Sequence, residues 1–131
     1  MIGLDTNVLI RYLTEDDPHQ TEKAAALIEA RSPDDPGFIS LAALTEVSWV
    51  LQRSYRFDRK AIAAAIAALL YAQEVVIERA EAVREALRFF EESRAGFSDC
   101  LIAQLGQLAG CEYTVTFDRA AAKLPGMKLL A

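Results

Sequence analysis

Histidine occurs once and cysteine twice among the 131 residues of this chain. One histidine and two cysteines cannot build a tetrahedral zinc site by themselves. Cys100 and Cys111 both fall on one predicted helix, where eleven residues span about 16 Å. That is beyond the reach of a disulfide, so both are read as packing residues, with Cys111 free at the helix end. No apolar run approaches the roughly 20 residues that span a bilayer. No basic stretch followed by an apolar core opens the chain, so no signal peptide is expected and the cytoplasm is the expected compartment. Basic charge is also short, with 14 Lys and Arg against 19 Asp and Glu and a net charge of −5. Domains that bind nucleic acid are usually basic. An acidic one can do so if its acids are gathered in a pocket and neutralised by metal, which predicts weak, metal- and salt-dependent binding.

Apolar residues are plentiful, at 53% of the chain. That suits one compact domain over residues 1–131. Met1–Leu4 reads as a buried strand, followed by a helix from about Asn7 to Leu13. Pro18 suits a helix first turn, and this second helix runs to about Ala30. Residues 32–37, SPDDPG, form a loop. Phe38–Leu41 is a strand, and Ala42 to about Ser54 is a helix with Leu44, Val47 and Leu51 on one face. Asp58 can cap a helix running to Ala72. Val75-Val76-Ile77 is a strand, Ala80–Glu92 a helix, and Asp99–Ala109 a helix that Ser98 can cap and Gly110 ends. Tyr113–Phe117 is a strand, a short helix follows Asp118, and Pro125-Gly126 turns into a last strand, Met127–Leu130. Alternating strands and helices, with strands as continuous apolar runs, predict an α/β fold. A central, mostly parallel five-stranded sheet is expected, flanked by helices on both faces.

Charge is unevenly spread. Residues 1–10, 36–52 and 95–111 together hold three charges, Asp5, Glu46 and Asp99. All three are carboxylates, and no Lys or Arg shares their windows. Unpaired carboxylates are rarely buried, and a bound cation is the simplest partner; Mg²⁺ and Mn²⁺ prefer such hard oxygens. Asp5 follows the first strand and Asp118 the fourth, at the carboxyl ends where open parallel sheets bind ligands. Asp99 opens a helix, where the dipole favours negative charge. Each acid also has a local reading. Asp5 can cap the helix near Asn7, Asp99 can be an ordinary first-turn aspartate, and Asp118 can cap the turn over residues 119–123. Arg53, Arg56, Arg59 and Lys60 form a modest basic cluster, either a solvated face or a contact for substrate backbone or a partner.

The motifs together resemble the PIN-domain family, and within it the VapC-type toxins of prokaryotic toxin–antitoxin pairs. MIGLDTNVLIRYL is similar to that family's opening strand and Asp-Thr-Asn turn. FISLAALTEVSWVLQRSY resembles its second strand and helix, with Glu46 in the acidic position. GFSDCLIAQLGQLAGCEYTVTFDRAAAKLPGMKLL resembles its C-terminal third. The resemblance implies that Asp5, Glu46 and Asp99 bind Mg²⁺ or Mn²⁺, with Asp118 as a fourth, more variable acid. It implies that Asn7 and Thr116 orient the cluster and that Ser98 caps its helix or touches the site. Local backbone hydrogen bonding is the alternative for these three.

The activity so implied is metal-dependent hydrolysis of RNA phosphodiesters by an endoribonuclease, leaving 5′-phosphate and 3′-hydroxyl ends. The implied partners are an RNA substrate, a cognate antitoxin protein and a second copy of the chain, as a homodimer or within a larger toxin–antitoxin assembly. A non-catalytic PIN-like module that binds RNA or protein is the alternative. The haloacid-dehalogenase pattern needs a second Asp where Asn7 stands. A receiver domain needs a Lys after its late strand that is missing here.

Overall fold

A computed structural model describes residues 1–130. They divide into two compact units, residues 1–80 and residues from 81 onward. In the first, strand β1 (Ile2–Gly3) is followed by helices α1 (Thr6–Leu13) and α2 (Pro18–Glu29). Strand β2 (Gly37–Ile39) leads into helices α3 (Leu41–Arg53) and α4 (Arg59–Tyr71), and strand β3 (Val75–Ile77) closes the unit. β2 lies centrally, pairing in parallel with β1 on one side and β3 on the other. Two helices fill each crossover, as parallel connections require.

The starts of these helices follow from local chemistry. Asp17 accepts from the Gln20 N–H at 3.1 Å, with Pro18 in the first turn of α2. Ser40 caps α3 through the Ala43 N–H, and Asp58 caps α4 through the Ala61 N–H. The inward face of α3 is complete: Leu44, Val47 and Leu51 are fully buried, alongside Ile39, Leu9 and Ile66. Gly37 is buried where β2 meets the core, and a Cβ there would lie 2.6 Å from Leu4 Cδ1.

The second unit holds most of α5 (Ala80–Glu92), then α6 (Phe97–Leu108), β4 (Thr114–Thr116), a short 3-10 turn (Ala121–Lys123) and β5 (Met127–Leu129). β4 and β5 pair in parallel. Val83, Leu87 and Phe90 of α5 are buried, and the Phe90 and Phe97 rings meet edge to face with centroids 6.0 Å apart.

The α/β class and the element order match the expectation, with differences of detail. The five strands form ladders of three and two rather than one sheet of five. They are two or three residues long, so each ladder rests on few backbone hydrogen bonds. Burial along them also alternates: Val76 lies exposed between buried Val75 and Ile77, and Val115 is exposed on β4. α6 begins at Phe97 behind Gly96, so Ser98 lies inside the helix and does not cap it. The helix stops at Leu108, with Gly110 at a φ of 88°. Cys111 is therefore beyond it and exposed, while Cys100 is buried.

Candidate metal and nuclease site

The first unit brings Asp5 and Glu46 to one place through Thr6. The Leu4 N–H donates to Phe38 O at 2.8 Å, extending the strand pairing up to the residue before Asp5. Asp5 then occupies the N-cap position of α1, yet its side chain makes no cap hydrogen bond. The carboxylate is exposed and not spent on the helix, so the capping reading fails here. Thr6 is buried, at 6% exposure, and its hydroxyl donates to Glu46 Oε1 across 40 residues of sequence. The Glu46 carboxylate is thereby held beside the residue next to Asp5. Thr6 was not among the expected site residues; the Asp-Thr-Asn opening was the signal available. Asn7 is exposed in the same first turn of α1.

The second unit brings Asp99 and Asp118 together. Asp99 lies in the first turn of α6 and is partly buried. Desolvation, and next the charge of Asp118, push its carboxyl above the usual aspartate range. Asp118 is held by its own turn: its N–H donates to the Thr116 hydroxyl at 3.0 Å, and its Oδ1 accepts from the Ala121 N–H at 2.9 Å. Asp118 therefore does cap the short turn after β4, as its local reading held, and it also acts on Asp99. Thr116 sets that turn. Ser98 is half-buried one residue before Asp99.

The acids are thus present as two pairs. Among the described residues no group of three or more His, Cys, Asp or Glu side chains is placed to hold a metal ion. The burial inferred from the charge-poor windows falls on Asp99 alone, since Asp5, Glu46 and Asp118 are exposed. The donor chemistry fits a hard cation. Every candidate is a carboxylate oxygen, and a half-buried carboxyl within the field of a second one is relieved by positive charge. His19, the single histidine, is exposed near the start of α2.

The PIN-domain family model matches residues 2–127. The chain belongs to the PIN-domain family. A VapC ribonuclease of Aquifex aeolicus (strain VF5) is 23% identical over 121 residues, covering 92% of this chain and 90% of that protein. VapC20 of Mycobacterium tuberculosis, a sarcin–ricin-loop-cleaving toxin, covers 95% of this chain and 96% of its own at 22% identity, with a TM-score of 0.47. The PIN match takes in all four acids, Asp5, Glu46, Asp99 and Asp118, and runs through both compact units.

Proposed function

We propose that this PIN protein is a divalent-metal-dependent endoribonuclease that hydrolyses RNA phosphodiester bonds and acts as the toxin of a VapC-type toxin–antitoxin pair. The observation that carries the reading is the PIN-family match over residues 2–127, which takes in all four carboxylates. The half-buried Asp99 in the first turn of α6, raised by desolvation and by the charge of Asp118, agrees with it. The Aquifex VapC ribonuclease, matched over 90% of its length, supports the same activity.

Asp5, Glu46, Asp99 and Asp118 would hold Mg²⁺ or Mn²⁺. When bound, such an ion supplies Lewis acidity for attack of water on the phosphodiester and offsets charge on the leaving oxygen. The chain's own contribution is orientation. Thr6 fixes Glu46, and Thr116 fixes the backbone that presents Asp118. Asn7 and Ser98 add an amide and a hydroxyl beside Asp5 and Asp99. We further propose that residues 1–131 act as a single PIN domain in the cytoplasm. A homodimer and a cognate antitoxin are its expected protein partners. No helix among the described residues is long and apolar enough to cross a membrane.

The test is incubation of the purified chain with a labelled structured RNA pool in Mg²⁺, in Mn²⁺ and in EDTA, beside an Asp99→Asn variant, with Mn²⁺ binding read by calorimetry. Cleavage that requires metal and disappears in the variant is expected. Wild-type protein that binds no Mn²⁺ would overturn the reading. Metal-independent retention of RNA without cutting would favour the non-catalytic alternative.

A further inference from the structure

The exposed face of α3 continues past Glu46. Trp49 and Arg53 follow it at three and seven residues, so all three share one helix face. Each is exposed, while Leu44, Val47, Ser48 and Leu51 fill the opposite face. Trp49 is 52% exposed, and the Arg53 guanidinium lies 4.5 Å from its ring centroid. The result is an exposed aromatic ring with a guanidinium stacked over it, one helical turn from a proposed metal ligand. At the helical rise, Trp49 is about 4.5 Å and Arg53 about 10 Å along the axis from Glu46.

The stretch that follows Glu46 along the chain is basic. Residues 47–73 carry four cations, Arg53, Arg56, Arg59 and Lys60, against one acid, Asp58, in a chain of net charge −5, although Glu46 stands on the same helix face and Asp16 reaches the Tyr55 hydroxyl. Asp58 keeps its charge while it caps α4, its carboxylate accepting from the Ala61 N–H at 2.8 Å. The connection between α3 and α4 is folded back on the end of α3: the Ser54 N–H donates to Val50 O and the Phe57 N–H to Leu51 O. Arg56 turns this connection in the left-handed region, at a φ of 55°, and is exposed together with Arg59 and Lys60.

An exposed aromatic ring stacked with an arginine is the chemistry that binds unpaired nucleotides. The base stacks on the ring, and the phosphates meet the guanidinium and ammonium groups. A base inside a duplex has no free face to offer. We propose that Trp49 and Arg53 form a stacking platform for an unpaired nucleotide of the RNA substrate, close to the bond that is cut, with Arg56 and Lys60 contacting its backbone. This rests on the ribonuclease reading and deepens it, since it states how the substrate is held and that it is single-stranded there.

Trp49 is the single tryptophan of the chain, so its emission reports the platform directly. The full chain, with Ca²⁺ in place of Mg²⁺ to suppress cleavage, is titrated with a fluorescently labelled single-stranded RNA and with the matching duplex. RNA anisotropy and tryptophan emission are read together. The single strand is expected to quench Trp49 along the same saturation curve as the anisotropy, and the duplex to leave the emission unchanged. In Mg²⁺, Trp49→Ala is expected to raise KM about tenfold with kcat little changed, and Trp49→Phe to recover most of the loss. Arg53→Ala is expected to reduce the salt slope of binding by about one.

RNA that is bound and cut with Trp49 emission unchanged, and with Trp49→Ala at wild-type KM, would overturn the platform and leave the ribonuclease reading standing. Absence of both RNA binding and cleavage would overturn both. A Trp49→Ala protein that cuts RNA normally but loses self-association in sedimentation would make this face a protein interface and overturn the platform.

Discussion

The buried hydroxyl of Thr6 donates to the carboxylate of Glu46, 40 residues further along the chain. It joins the first turn of α1 to the middle of α3, and it leaves Asp5 and Glu46 both facing solvent. A hydrogen bond to a metal-binding carboxylate sets its direction, and losing such a partner typically lowers metal affinity or activity by about 10–100-fold. Thr6→Val removes the hydroxyl while keeping the branched shape. Cleavage should fall by about tenfold, with Thr6→Ser close to wild type. Equal activity in Val and wild type would show that Glu46 needs no such support.

The repulsion between Asp99 and Asp118 predicts opposite effects on folding and on metal binding. With its carboxyl pushed up, Asp99 disfavours the folded state wherever it is ionised. Asp99→Asn should therefore raise the melting temperature of the metal-free protein slightly. The gain should stay below about 1 kcal/mol, because water reaches the side chain and screens it. The same variant should lose the further rise that Mn²⁺ gives the wild type by binding the folded state. Differential scanning fluorimetry with and without Mn²⁺ measures both, and a variant less stable than wild type without metal would refute the electrostatic account.

Asp16 and Tyr55 predict a pH effect away from the acids. The Tyr55 hydroxyl donates to Asp16 Oδ2 at 2.8 Å, and Arg11 donates to both residues. The Tyr55 hydrogen bond is the largest influence on the Asp16 carboxyl; desolvation comes next and opposes it, and the Thr14 hydrogen bond and the charge of Arg11 help hold it below its ordinary value. A depressed carboxyl adds stability above its unfolded pKa of about 3.9, and loses it as pH falls through the folded value. Tyr55→Phe should therefore be less stable than wild type near neutral pH, with the difference shrinking below about pH 4. Urea melts at the two pH values check this; a difference independent of pH would assign the loss to packing alone.

Gly110 ends α6 with a φ of 88° while the Cys111 N–H donates to Gly106 O at 3.0 Å. A residue with a Cβ pays about 1–2 kcal/mol for the left-handed conformation. Nothing lies within 4 Å of where that Cβ would sit, so no clash adds to the strain. Gly110→Ala should lose about 1 kcal/mol in urea unfolding, and Gly110→Asn, which tolerates the region better, should lose less. Equal losses in both variants would point away from backbone strain.

Helices were legible in the sequence because their signals are local. Asp17 with Pro18, Asp58 before α4 and Gly110 after α6 each act within a few residues of the backbone groups they satisfy, and each does so here. Ser98 misled for the same reason. It has the right chemistry for a cap, but Phe97 is buried and draws the helix start two residues earlier, onto Gly96. Asp5, Glu46 and Asp99 stood out because carboxylates are few inside apolar stretches, and Asp118 because it follows the fourth strand. Their exposure did not, since Asp5 and Glu46 flank core residues while pointing to water.

The sequence by itself determined the order of strands and helices and several of their caps and stops, and it singled out four carboxylates as candidates. These depend on side-chain spacing and on hydrogen bonds closed within one turn. Tertiary structure decided what spans long separations. It set the division of the described strands into ladders of three and two, the Thr6 hydroxyl on Glu46, and the partial burial of Asp99 within the field of Asp118. It also left Trp49 in water beneath Arg53. Ladder pairing and desolvation depend on which distant segments meet, and no local pattern of residues encodes that.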